Sequence, residues 1–251
     1  MIYGQLSFPQ KSFRMKKHGI FIFTILLSCA VGPVAAQSLS VDEGNAKIDD
    51  SKEVDAWVTK LDQDVAYCMN TYEGFMKETF KVKVDKRKGL LVAEKVAISE
   101  ISDLRIDQRA IFASSSGGTT VSFTFSPGYD IHFGQKQYKP EFAKAGTFVK
   151  NYVRYHYKSF YDDQIKSLQS KIDSRHKDIE ANGRKTDKND KAIAQNKSDS
   201  DTEKSKAKNE KMLRENETYT ADTASKRKEI SDLEDQLDKA KDGLKKVLAF
   251  Q

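Results

Sequence analysis

The sequence predicts an α+β protein: a small antiparallel sheet covered by helices, followed by a long C-terminal helical coiled coil, read as an antiparallel hairpin. Three observations carry this. The apolar period changes from about 3.6 to 2 near Phe80, short Gly-containing turns divide the stretch from Phe80 to Phe133, and beyond Tyr161 charged residues dominate with apolar ones at heptad spacing.

The chain opens on an export signal. Lys16 and Lys17 precede an apolar run from Ile20 to Val31, and Val34-Ala35-Ala36 places small residues where signal peptidase reads them. Residues 1–36 are therefore expected to leave as a signal peptide cut between Ala36 and Gln37, with the true start near Met15. The apolar run is too short for a membrane span. A second processing route competes, because Leu26-Leu27-Ser28-Cys29 resembles a lipobox, and that resemblance implies a lipid anchor at Cys29.

Cleavage changes the charge balance. The 43 Lys and Arg residues lose Lys11, Arg14, Lys16 and Lys17 while the 37 Asp and Glu residues lose none, leaving 39 against 37. The pI near 9.0 is thus largely a property of the leader, and no nucleic-acid partner is expected. Only Cys68 remains, so an oxidising compartment offers no internal disulfide. Cys68 reads either as a reactive or bridging thiol or as a small apolar residue on a buried helix face.

Residues 37–51 are polar and read as a flexible leader, and an α+β domain is expected over 52–161. Val54, Trp57, Val58, Leu61, Val65, Cys68, Tyr72 and Phe75 recur at helical steps, predicting a first helix over 52–76. Phe80, Val82 and Val84 alternate as a strand, and Lys86 to Gly89 turn the chain into a second strand, Leu90 to Ile98. Leu104 to Phe112 make a third, and Val121, Phe123 and Phe125 a fourth after the Gly117-Gly118 turn. Tyr129, Ile131 and Phe133 suggest a short fifth. Pro140 opens a helix whose apolar stripe runs from Phe142 to Phe160.

Residues 162–251 form the charged helical segment. Ile165, Leu168 and Ile172 begin one heptad frame, and Ile230, Leu233, Leu237, Ala240, Leu244 and Val247 complete another. A hairpin that reverses near 197–205, with Ser200 and Glu203 as a capping box, brings these two ends together. The competing geometry is a parallel bundle, since Asn182, Asn189 and Asn196 recur every seven residues. The Ile193–Asn196 step resembles stalk repeats of trimeric autotransporter adhesins, which implies a parallel trimer.

Chemistry is sparse. Asp130 and His132 share an expected strand face and are the one candidate acid–base or metal pair, as against a solvent-facing strand edge. His156 reads as a packed helix residue and His176 lies on a charged helix. The Gly117-Gly118 loop leads into a strand, so it lacks the helix N-terminus that phosphate loops use. Ser114 to Ser116 lack a nucleophile-elbow context. The basic run Lys83 to Lys88 suits a strand edge better than a binding patch. No catalytic residue, cofactor or metal site is assigned.

The expectation is therefore an exported, non-enzymatic protein of the bacterial cell envelope, periplasmic or secreted. It acts through protein partners or self-association of its helical segment. The alternative is a holdase: a signal peptide, a small β-containing body and projecting helices are similar to the Skp-type periplasmic chaperones, a likeness that implies trimers enclosing unfolded clients. Here, however, the helices follow the sheet instead of interrupting it. A small enzyme using Asp130 and His132 is the third reading.

Overall fold

The computed structural model describes residues 39–48, 52–87, 89–199 and 202–250, so the expected signal segment, with Cys29 and the Ala36–Gln37 junction, lies outside it. The elements are β1 (Asp42–Lys47), β2 (Glu53–Leu61), α1 (Val65–Phe80), β3 (Asp85–Arg87), β4 (Leu90–Ala97), β5 (Arg105–Ser115), β6 (Gly118–Ser126), α2 (Lys139–Asp199) and α3 (Glu203–Leu248). The six strands form one sheet in the order β1-β2-β6-β5-β4-β3, and every pair is antiparallel. This is the α+β class the sequence predicts.

The N-terminal elements differ from the sequence reading. The leader expected over 37–51 contains β1, an edge strand paired with β2 from Asp42↔Val58 to Lys47↔Glu53. The helix expected from residue 52 begins only at Val65, because Glu53–Leu61 is a strand. Val54, Trp57, Val58 and Leu61 sit at spacings that a helix and a two-faced strand both permit. The pairing Trp57↔Phe123 and the β-branched Val54, Val58 and Thr59 decide for the strand. Asp64 then caps α1, its carboxylate accepting the Tyr67 amide at 2.8 Å.

The first expected strand is also displaced. Phe80 is the last residue of α1, and Lys81, at φ 59°, closes the helix while the Val82 amide donates to the Met76 carbonyl at 3.1 Å. Only Asp85–Arg87 pair, as a short edge strand against β4. The expected fifth strand reduces to a single bridge, Gly128↔Ile131, plus a Phe133 amide bond to the Phe125 carbonyl. At the β5–β6 hairpin Gly118 is obligatory, since a Cβ there would stand 2.0 Å from the Leu61 carbonyl oxygen.

Both α1 and the start of α2 cover one face of the sheet. Tyr72 packs on Phe112 and Phe123, Tyr152 on Phe123, and Phe148 on Phe125. Trp57 stacks on Phe142 and donates its indole N–H to the Phe142 carbonyl at 2.7 Å. Among the described residues no helix covers the other face.

Helix α2 is continuous for 61 residues, so one rod leaves the domain core and becomes an arm. The part beyond Tyr161 spans roughly 57 Å at 1.5 Å per residue. It reverses after Asp199 into α3, whose cap is Thr202, accepting from the Ser205 amide, and not Ser200. No described helix is long and apolar enough to cross a membrane.

Candidate functional site

Asp130 and His132, the pair singled out from sequence, lie in the loop that joins β6 to α2. The hydroxyl of Ser126 ties this loop down, donating to the Ile131 carbonyl at 2.6 Å and accepting the Gly128 amide at 3.0 Å. Tyr129 and Asp130 hold φ values of 55° and 58°, the left-handed pair of a tight hairpin turn, and Ile131 N–H closes it on the Gly128 carbonyl at 3.1 Å. Asp130 therefore does not share a strand face with His132. Its carboxylate stands 3.5 Å from Lys52 Nζ and is almost fully exposed, while its carbonyl accepts from the same ammonium at 3.1 Å.

His132 is half-buried, and its Nδ1 is enclosed without a hydrogen-bond partner. Burial first, then the charges of Lys52 and Arg109, hold its pKa below the ordinary value, with Asp130 opposing weakly. The two sequence candidates are thus neighbours without a hydrogen bond between them. Among the described residues no group of three or more His, Cys, Asp or Glu side chains converges as a metal site.

The remaining histidines separate clearly. His156 is fully buried in α2, its Nδ1 2.7 Å from Thr71 Oγ1 and its Nε2 2.6 Å from Gln63 Oε1. Both partners are neutral, so burial pushes the imidazole down to about 3. The Thr71 hydroxyl also donates to the Cys68 carbonyl at 3.0 Å, which ties the ring's partner to the first turn of α1. Tyr152 adds a bond to the Cys68 carbonyl at 3.0 Å and Tyr157 one to Asp62 at 3.2 Å. Together these bonds pin the β2–α1 turn to α2, which makes the aromatic run from Phe148 to Tyr161 core. Cys68 is 0 % exposed, and burial raises its thiol to about 11, so neither the bridging nor the reactive role has a reachable thiolate. The Lys83–Lys88 run straddles the edge strand β3, where Arg87 meets Glu94 at 3.7 Å; Lys88 itself lies outside the described residues.

On the arm, the heptad asparagines bond within the hairpin. Asn182 Nδ2 donates to Asp222 Oδ2 at 2.7 Å, Asn189 to Asn216 Oδ1 at 2.9 Å and Asn196 to Asn209 Oδ1 at 2.9 Å. Nearer the base Arg175 meets Glu229 at 2.6 Å. The partners approach one another in sequence toward the turn, which is antiparallel register, so the asparagines serve the intrachain hairpin. Lys226 first, and Asn182 next, hold the Asp222 carboxyl below its usual value.

Three residues escaped the sequence reading: Lys52, Arg109 and Tyr129. Lys52 looked like the first polar residue of the expected helix over 52–76, and Arg109 one polar position of an alternating strand. Pro127-Gly128 did mark the turn that carries Tyr129, but nothing in the spacing showed that its ring would stand 98 % exposed. No family model, curated protein or solved structure matches this chain.

Proposed function

We propose that this is an exported, non-enzymatic protein of the bacterial envelope whose sheet domain anchors a rigid helical arm that reaches a protein partner. The observation that carries the reading is the continuity of α2 from the aromatic core to the hairpin tip. A helix fixed at one end in a packed core transmits position over its whole length, which is what a spacer or presenting arm requires. The Lys16-Lys17, apolar and Val34-Ala35-Ala36 series supports export with cleavage before Gln37, and lipid attachment at Cys29 is the alternative processing route.

A holdase arm would turn apolar side chains toward its clients, beyond the seam between its helices. Among the described residues of the arm distal to Arg175, Leu213 is the one large apolar side chain that is substantially exposed, at 50 %. That weighs for a partner-specific arm over a cradle for unfolded chains.

Two measurements test the reading. N-terminal sequencing of the protein from cells should find Gln37 first, and an intact leader retained in the cytoplasm would exclude export. Site-specific photo-crosslinkers at Lys188 and Lys211 should give one discrete adduct that a probe at Lys60 on the sheet does not. Equal, diffuse labelling from all three positions would remove the arm's role.

A further inference from the structure

The face of the sheet that carries no helix ends, at the Ser126 end of β6, in a small polar cluster that the fold does not explain. Arg109 projects from this face of β5, opposite Thr124 in the β5–β6 register, with Ser126 two residues further along β6. It is half-buried, and among the described residues no carboxylate comes within 4.0 Å of its guanidinium. The acid nearest in sequence, Asp107, is engaged elsewhere, accepting the Lys95 amide at 2.8 Å in the β4 bulge. Lys52 reaches the same corner and meets Asp130.

We propose that Arg109, Lys52 and the His132 ring form a binding site for a monoanionic carboxylate, with Tyr129 as its exposed lip. The charge count selects the class of anion. Lys52 is already paired with Asp130, which leaves the guanidinium of Arg109 as the cation of this corner without an ion pair among the described residues, and its planar fork matches a carboxylate in bidentate geometry. A dianionic phosphate would leave one charge unmet in a half-buried site.

His132 fits the same role. Its Nδ1 is buried without a partner, so an imidazolium would strand one N–H. The neutral ring keeps its proton on Nε2, a donor beside two cations that an incoming carboxylate oxygen can accept from. Lys52 meets the Asp130 carbonyl and carboxylate two residues from the ring, and Ser126, bonded to the Ile131 carbonyl, lies two residues from Thr124, the partner of Arg109, which brings the three side chains to one corner of the sheet. The loop that supplies the lip is a tight turn in which Tyr129 and Asp130 both occupy the left-handed region, which a bulky residue seldom adopts. The turn leaves the Tyr129 ring 98 % exposed at this end of the sheet, where it contributes nothing to the core.

The carboxylate has two sources, a free small acid or an acidic side chain on a peptide, and the lip distinguishes them. The probes are sodium acetate, sodium phosphate, sodium chloride at matched ionic strength, and the blocked tripeptide acetyl-Gly-Glu-Gly-amide. The readout is the His132 ring resonance in the full-length mature protein. Acetate and the tripeptide should shift it saturably and raise its titration midpoint, and Arg109→Gln should weaken that binding about ten-fold or more, the loss expected for a charge-assisted bidentate pair. Arg109→Lys should recover part of it. Tighter binding of the tripeptide than of acetate, lost in Tyr129→Ala, assigns the site to a peptide; equal binding assigns it to a free acid.

A shift that chloride reproduces is screening and overturns the site, as does one that survives Arg109→Gln. Phosphate binding tighter than both carboxylates overturns the class of ligand. The site and the arm are independent, so failure here leaves the arm's crosslinks unaffected, and failure of the arm leaves the resonance shifts intact.

Discussion

The sheet domain and the distal arm share one helix, α2, yet they are held by opposite means. In the domain, Tyr72, Phe75, Phe123, Phe148 and Tyr152 interlock in edge-on and tilted contacts with ring centroids 5.0–6.3 Å apart. In the distal arm the seam is a ladder of amide and carboxylate hydrogen bonds interrupted by Ile193 and Met212, which belong to no larger apolar cluster. Burying aromatic area stabilises strongly and tolerates few changes. An amide ladder contributes little net energy but fixes register, because a slip of one heptad leaves its polar groups unmatched.

The largest effect should follow from cutting into the aromatic cluster. Phe123→Ala should cost about 3–5 kcal/mol, since a fully buried ring is removed from a site shared by both helices and the sheet. Deleting residues 174–228, by contrast, should leave the thermal unfolding of the domain cooperative and close to unchanged. A deletion variant that unfolds without cooperativity would show that the arm supports the domain and end this contrast.

The same contrast decides what was legible in the sequence. The helical segment, its turn and the two apolar frames at its base could be read because Ile165–Ile172 and Ile230–Val247 hold heptad spacing, while the asparagine heptad also allowed a parallel bundle. Strands β4, β5 and β6 were likewise readable, with Phe123 and Phe125 alternating between Gly turns. What failed was the N-terminal region. Asp42–Lys47 carries no apolar alternation at all and becomes a strand only through its ladder with β2, a tertiary contact. Val54 to Leu61 is short enough that helix and strand periods coincide, and the cap that marks the true helix start, Asp64, was the available signal. The candidate site was half-legible: Asp130 and His132 were found from their residue types, while Lys52, just before β2, and Arg109, on β5, are brought toward the same end of the sheet only by the order β2-β6-β5.

Acid sharpens the comparison, because its largest single effect falls on the domain. The folded pKa of His156 lies near 3, below the ordinary value of 6.5, so the folded state binds fewer protons than the unfolded chain. Its contribution is fully present above pH 6.5 and is lost as pH falls from there toward 3. Over that window the domain should lose about 4 kcal/mol. Chemical denaturation of wild type and of His156→Gln, which stays neutral, should give a steep and a shallower acid slope respectively. Identical slopes would move the acid sensitivity elsewhere.

Within the arm, base and tip should differ although burial alone does not separate them: Leu237 is 7 % exposed and Ile193 8 %. Leu237 belongs to the continuous core with Ile172 and Ile230, whereas Ile193 stands outside it. Leu237→Ala should therefore cost about 2–5 kcal/mol and melt most of the arm, and Ile193→Ala markedly less, because the frayed tip collapses around a small cavity. Both melts should be independent of protein concentration. A large Ile193 effect that grows on dilution would mean that association between chains is part of the arm's folding.

The smallest effect should come from Gly183, which follows Asn182 in the middle of α2 on the exposed side of the arm. A Cβ at this position would meet nothing within 4 Å, so the glycine is not there to admit a neighbour. It costs the helix only conformational entropy, and Gly183→Ala should stabilise the arm by about 0.5–1 kcal/mol. Because the apolar base is already stable, that increment should appear where the seam is weakest. Amide exchange between Arg184 and Gln195 should slow about two- to five-fold, while exchange in β5 and β6 stays unchanged. Slowing throughout the molecule would show that arm and domain open together, and the two regions would then be one cooperative unit.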